Sequence, residues 1–195
     1  MTSEAMRLEV ITGSVREGRV GPVVASWFAG QARRHGEFSV GQIDVADYAL
    51  STSMSGSPEQ ATRDALDALD ALSPRLHAAD AYVVVTPEYN HSYPGALKNV
   101  IDWHFAEWHA KPVGLVSYGG ISGGLRAAEH LRQVFAELHA TTVRNTVSFH
   151  GHGPWDDFGG AGEEEAAGAA RALLDQLGWW ALTLREGRGA RAYRA

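Results

Sequence analysis

The stretch Ala81-Tyr82-Val83-Val84-Val85-Thr86 runs directly into Pro87-Glu88-Tyr89-Asn90-His91-Ser92-Tyr93-Pro94-Gly95. Its first part is a continuous apolar run rich in β-branched residues, which suits a central parallel strand covered on both faces. A turn dense in hydrogen-bonding and flat side chains follows, and Pro94 and Gly95 then open a helix. In an α/β sheet, such a turn at the mouth of a buried strand is where a planar ligand is held.

Working outward, Leu97, Val100, Ile101 and Phe105 give the next helix an apolar stripe, and Lys111 to Ser117 reads as another strand. That strand ends in Tyr118-Gly119-Gly120-Ile121-Ser122-Gly123-Gly124, before a helix that buries Leu131, Val134, Phe135 and Leu138. Upstream, Leu8 to Thr12 is a first strand and Gly13 to Gly21 a loop. Pro22 opens a helix whose apolar face is Val20, Val23, Val24, Trp27 and Phe28. Phe38 to Val45 is a second strand. Ser57-Pro58-Glu59-Gln60 has the form of a capped helix start, with Leu66, Leu69, Leu72 and Leu76 on one side, Asp64, Asp67 and Asp70 on a solvated face, and Pro74 as a kink or break. Thr141 to Phe149 alternates like a half-covered edge strand, and Glu163 to Trp180 is a final helix followed by a mobile tail from about residue 185. Strand and helix alternate throughout, so the expectation is one α/β domain over residues 1–195, a doubly wound five-stranded parallel sheet with helices on both faces.

The bulk numbers agree with a globular chain and narrow its partners. There are 195 residues, 45% hydrophobic and 21% charged, with a net charge of -6. That charge offers no general attraction to nucleic acid or anionic membrane. No apolar run approaches the roughly 20 residues that span a bilayer. The absence of cysteine excludes a thiolate nucleophile and a Cys-ligated metal, so redox chemistry would need a bound cofactor. Without a signal peptide at Met1 to Arg7, a cytoplasmic protein is expected.

Ligands of such sheets bind beyond the carboxyl ends of strands near a topological switch point, and in the flavodoxin-like order 2-1-3-4-5 the first and third strands are neighbours there. Backbone N–H groups at the helix start, the Ser14 hydroxyl, Arg16 and Arg19 match a phosphate, although Gly13 to Gly21 is equally readable as an ordinary glycine-rich turn. It is neither Gly-x-Gly-x-x-Gly nor a P-loop. In Pro87-Glu88-Tyr89-Asn90 the phenol could lie on a flat ring and the amide pair with ring heteroatoms; a simple strand-ending turn is the alternative. Ser117, Gly119 and Gly120 would let backbone approach the ring's other edge.

These residues resemble the NADPH-dependent FMN reductases of flavodoxin-like fold. The resemblance runs from the first strand to about Val147. It rests on Gly13-Ser14-Val15-Arg16 with Arg19 and Gly21-Pro22, on Pro87 to Asn99 with Asp102-Trp103, and on Lys111-Pro112 followed by Ser117-Tyr118-Gly119-Gly120. It implies bound FMN, its phosphate at Ser14, Arg16, Arg19, Val20 and Gly21 and its ring on Pro87, Glu88, Tyr89, Asn90, Ser117, Gly119 and Gly120. It also implies NADPH or NADH as hydride donor, a quinone, azo compound, metal ion or free flavin as acceptor, and a homodimer or homotetramer that Glu88, His91 and Tyr93 face. The flavin carries the chemistry, so no catalytic side chain is expected. A one-electron carrier like flavodoxin and a flavin-binding redox-sensing partner stand as alternatives.

His150-Gly151-His152 with Asp156 and Asp157 can be drawn as a metal site, but the surrounding glycines argue against the rigid support such sites need, and no metal is expected. His104 and His109 read as helix-flank or subunit-contact residues. Trp179 and Trp180 read as core and interface packing, and Arg185, Arg188, Arg191 and Arg194 as a solvated, mobile tail in preference to a reach toward a nucleotide phosphate of a neighbouring subunit.

Overall fold

The computed structural model describes residues 5–53, 61–156 and 159–195. Among them the chain runs β1 (Met6–Thr12), α1 (Gly21–His35), β2 (Phe38–Asp44), α2 (Arg63–Ala78), β3 (Ala81–Pro87) and α3 (Gly95–Asp102). It continues as β4 (Pro112–Gly119), α4 (Leu125–Glu137), β5 (Thr141–His150) and α5 (Ala161–Ala190). All strands pair in parallel in the order β2-β1-β3-β4-β5. The doubly wound sheet expected from the sequence is therefore present.

β3 is buried along its whole length, and its alternation divides the core. Val83 and Val85 pack with Val24, Phe28, Leu173 and Leu177 under α1 and α5. Tyr82 and Val84 pack with Leu72, Leu76, Leu97, Ile101, Leu131 and Phe135 under α2, α3 and α4. Each face of the sheet is thus sealed, which leaves its carboxyl-end loops as the place where function can sit.

Local readings that fail do so where tertiary contacts override periodicity. Val23 and Phe105 are 44% and 54% exposed, although helical spacing places both on buried stripes. Pro74 lies inside α2 without breaking it, and that helix is capped by Thr62, whose hydroxyl accepts from Ala65 N–H. The proposed start at Ser57 to Gln60 lies outside the described residues. α5 begins before Glu163 and continues past Trp180 to Ala190, so the first residues assigned to a tail are helical. Arg185 and Arg188 reach back to Asp80, and Arg188 also donates to Ala110 O. Trp179 is 62% exposed while Trp180 packs against the core. His104 is buried, its ring nitrogens at 2.8 Å from Val100 O and 3.2 Å from Ser73 Oγ.

Candidate functional site

Three loops meet at the carboxyl ends of β1, β3 and β4. Gly13 N–H donates to Val85 O at 2.9 Å, joining the first loop to β3, and Glu88 N–H donates to Tyr118 O at 3.3 Å, joining β3 to β4. Every residue assigned to a ligand from the sequence lies on these loops or the strand and helix ends that flank them. Their roles divide.

Ser14 lies beneath the first loop, fully buried, with its hydroxyl accepting from the Tyr118 hydroxyl at 3.1 Å. Burial pushes the Tyr118 phenol up to about 12 despite that hydrogen bond, so it stays a donor. Arg19 forks onto Asp44 at 2.6 and 2.7 Å and also donates to Ser14 O, bracing the loop rather than facing outward. Arg16 is exposed, and its guanidinium has no partner among the described residues. The backbone N–H groups from Ser14 to Gly18 likewise have no protein acceptor among the described residues. Val20 precedes α1 without a side-chain cap, and the first turn, from Gly21, carries no acidic residue. Unpaired donors at a helix start beside an uncommitted guanidinium fit a phosphate group.

In the second loop Tyr89 and Ser92 exchange N–H···O bonds of 2.8 and 3.1 Å around Asn90 and His91, whose φ angles are 51° and 71°. Two successive positive φ values make a mirror-image tight turn, a conformation asparagine tolerates. Asn90 is therefore explained by the backbone, and its amide stays exposed; Tyr89 is half-buried and Pro87 buried. Tyr93 packs partly against the core.

Glu88 joins two loops. Its carboxylate accepts from Arg126 N–H at 3.1 Å and pairs with the Arg126 guanidinium at 2.7 Å, capping α4 from a different strand. Burial raises its pKa, but hydrogen bonds from Ser122 and Arg126 outweigh that and hold it below the usual carboxylate value. Its stabilising contribution is therefore present above the carboxylate range and lost as pH falls through it. Glu88→Ala is expected to cost about 1–2 kcal/mol, discounted because Arg126 is half exposed, with Glu88→Gln recovering part. Urea unfolding of the three proteins at neutral pH measures this.

In the third loop Ser117 is also buried, and its hydroxyl donates to Gly123 O at 2.8 Å. Ser148 Oγ lies 2.8 Å from the same carbonyl and 3.1 Å from His150 Nε2, while His150 Nδ1 is 3.2 Å from Ile121 O. Gly119 O accepts from Gly151 N–H at 2.7 Å, and nothing lies within 4 Å of the open side of Gly120. His150 thus supports the loop, and His152 sits 3.5 Å from Asp156, both largely exposed. Asp157 is outside the described residues.

Sequence reasoning passed over Tyr118, Arg126, Ser148 and His150 as supports. Strand alternation does place Tyr118 opposite Ser117, but nothing local marks the others. The motif residues Asn99 and Trp103 serve the fold: they donate to Leu50 O and Ser51 O at 2.9 and 2.8 Å, pinning the connection after β2.

Known proteins agree with this architecture. The profile of the NADPH-dependent FMN reductase family matches residues 6–153. An NAD(P)H-dependent FMN reductase of Schizosaccharomyces pombe is 37% identical over 122 residues, 60% of this chain and 60% of its own length. One from Saccharomyces cerevisiae is 32% identical over 151 residues, 71% of this chain and 78% of that one. A quinone reductase of Escherichia coli is 43% identical over 88 residues, so the match spans less than half of either protein. Among solved structures, the flavoenzyme NAD(P)H:(acceptor) oxidoreductase of Paracoccus denitrificans superposes with a TM-score of 0.71 at 22% identity, covering 92% of this chain and 98% of that one. Such a likeness speaks to fold alone. The family match, by contrast, covers most of the sequence and includes all three loops, and by it the chain belongs to the NADPH-dependent FMN reductase family.

Proposed function

We propose that the three loops hold FMN and that the protein is an NAD(P)H-dependent oxidoreductase passing hydride from NADPH or NADH to a small-molecule acceptor. Acceptors of the expected kind are quinones, azo compounds, metal ions and free flavin. The observation that carries this is the run of donors from Ser14 to Gly18 that, like the Arg16 guanidinium, have no partner among the described residues, beside the Tyr89–Asn90 turn. Family membership and the names of the relatives support it.

When bound, FMN supplies the capacity to accept and release hydride. The chain's own residues bind and orient. Arg16 and the loop N–H groups hold the phosphate; Tyr89, Asn90, Gly119 and Gly120 face the ring; Ser14, Arg19, Glu88 and Ser117 fix the loops that present them. Uncommitted donors aimed at the ring would stabilise negative charge that develops on it.

A homodimer or homotetramer is part of this reading, supported by the exposed apolar Val15, Ile121 and Leu125 on or beside the same loops. So is a cytoplasmic location, in keeping with the lack of cysteine; among the described residues no helix is long and apolar enough to cross a membrane.

The purified protein is expected to be yellow and to bleach under NADPH or NADH without air; a flavin that stays oxidised with both overturns the reading. Tyr89→Ala combined with Asn90→Gly, which keeps the turn, is expected to weaken FMN about tenfold by loss of ring contact. Unchanged occupancy and reduction rate would reduce this stretch to a helix start.

A further inference from the structure

A second cavity lies at the amino-terminal end of the sheet, opposite the loops. It measures about 390 Å³ and is walled by Ala110, Leu184, Gly187, Ala192 and Tyr193, with Arg188, Arg191 and Arg194 also on its lining. The C-terminal segment that roofs it is fixed: the Tyr193 hydroxyl lies 2.9 Å from His139 Nδ1, and the Tyr193 ring packs 5.8 Å from that of His109. Arg188 is committed to Ala110 O and Asp80. Arg191 and Arg194 are different, since neither guanidinium has a partner among the described residues.

The chemistry of the lining selects its occupant. A mainly apolar hollow of this size accepts a small organic body, and arginine forks match a carboxylate. Around the cavity stand Arg185, Arg188, Arg191 and Arg194; the partly buried carboxylate of Asp80 pairs with the first two, while Glu186 is exposed and not part of the wall. This local excess of positive charge stands out in a chain of net charge -6. A wider hollow of about 770 Å³ beside β5 differs in carrying a carboxylate, Glu129, on its own lining; its Arg132 is spent on Glu129 and on the Val143 and Arg144 carbonyls, and its Arg144 lies 3.4 Å from Asn145 Oδ1.

We propose that this cavity is a second ligand site, for a small amphiphilic carboxylate whose ring system or alkyl chain enters the hollow while its carboxylate meets Arg191 and Arg194. The site is separate from the flavin loops and does not depend on what they bind.

The test is calorimetric titration of the full chain with naphthoate, alongside the neutral naphthalene methanol. Naphthoate is expected to saturate at one per chain and to bind more tightly than the alcohol. Arg191→Ala with Arg194→Ala should weaken naphthoate about tenfold and leave the alcohol unaffected. Gly187 has nothing within 4 Å of its side-chain position, so Gly187→Trp fills the hollow without a backbone clash and should abolish binding of both. Flavin content and bleaching are expected to be those of the parent protein in all variants. The proposal is overturned by absence of saturable naphthoate binding, by equal affinity for acid and alcohol, by naphthoate affinity that the arginine changes leave as in the parent, or by binding that survives Gly187→Trp.

Discussion

Gly21→Ala is expected to strip the flavin from its site and to lower stability by about 2 kcal/mol. A methyl group at position 21 would press into Ser14 Oγ, come within 2.8 Å of Tyr118 Oη and 3.2 Å of Thr12 Cγ2. Those neighbours cannot simply swing aside, because Ser14, Thr12 and Tyr118 are all buried and Ser14 is hydrogen-bonded to Tyr118. The added carbon therefore moves either the first helical turn or the Ser14–Tyr118 pair, and both anchor the ends of the loop that carries the N–H groups of Ser14 to Gly18 left without a partner among the described residues. For a chain of this size the loss corresponds to a midpoint lower by about 4–8 °C. Gly18→Ala separates clash from backbone strain. Gly18 has φ of 69° with nothing within 4 Å of a side chain, so only the conformational cost of about 1–2 kcal/mol applies there. Thermal unfolding and the flavin-to-protein absorbance ratio after desalting measure both variants. A Gly21→Ala protein that melts with the parent and keeps its flavin would show that the packing around Ser14 does not control the loop.

The contrast between Ser14 and Arg16 marks how far the sequence reaches. Both were legible as loop residues, because glycine, proline and serine punctuate a chain locally. The structure separates them by contacts that span long stretches: Ser14 meets Tyr118 across 104 positions, and Arg19 meets Asp44 across 25. Periodicity says which face a residue takes, not which distant partner it finds. β3 was legible for the opposite reason, since a strand buried on both faces declares itself by its own composition. The end of α5 was not, because Arg185 and Arg188 are held by Asp80 from the far side of the fold. Glu88 shows the same limit within the central motif: its position beside the ring turn was evident, but its partner Arg126, in the first turn of another helix, was not.

Stability should climb with pH through the neutral and mildly alkaline range, and Lys111→Met should remove the climb. Lys111 is only 5% exposed, and its ammonium donates to Leu76 O and His77 O at 2.8 Å and to Tyr82 Oη at 3.1 Å. The two carbonyls belong to the last turn of α2, where backbone acceptors lack helical partners and the helix dipole favours a cation. Burial nevertheless dominates, with Arg188 adding to it, and takes the folded pKa from 10.5 down to about 7 against the pull of Asp80 and Glu107. Between those values the unfolded chain binds a proton that the folded chain does not, so raising pH favours folding. From about pH 6.5 to about pH 9 the gain is on the order of 2–3 kcal/mol. The histidine and tyrosine shifts fall outside this window. His109, lowered by burial and by His139, acts below its ordinary 6.5, and the Tyr82 and Tyr118 phenols, both raised by burial, act only above 10. Methionine keeps the length of the side chain without a charge, so the variant loses the slope; it also leaves the His77 carbonyl without its donor, a cost of about 1–3 kcal/mol that does not depend on pH. Urea unfolding of both proteins across this range separates the two effects: the offset measures the lost hydrogen bonds, and the difference in slope measures the buried charge. Parallel curves would mean that the three acceptors keep the Lys111 ammonium charged throughout.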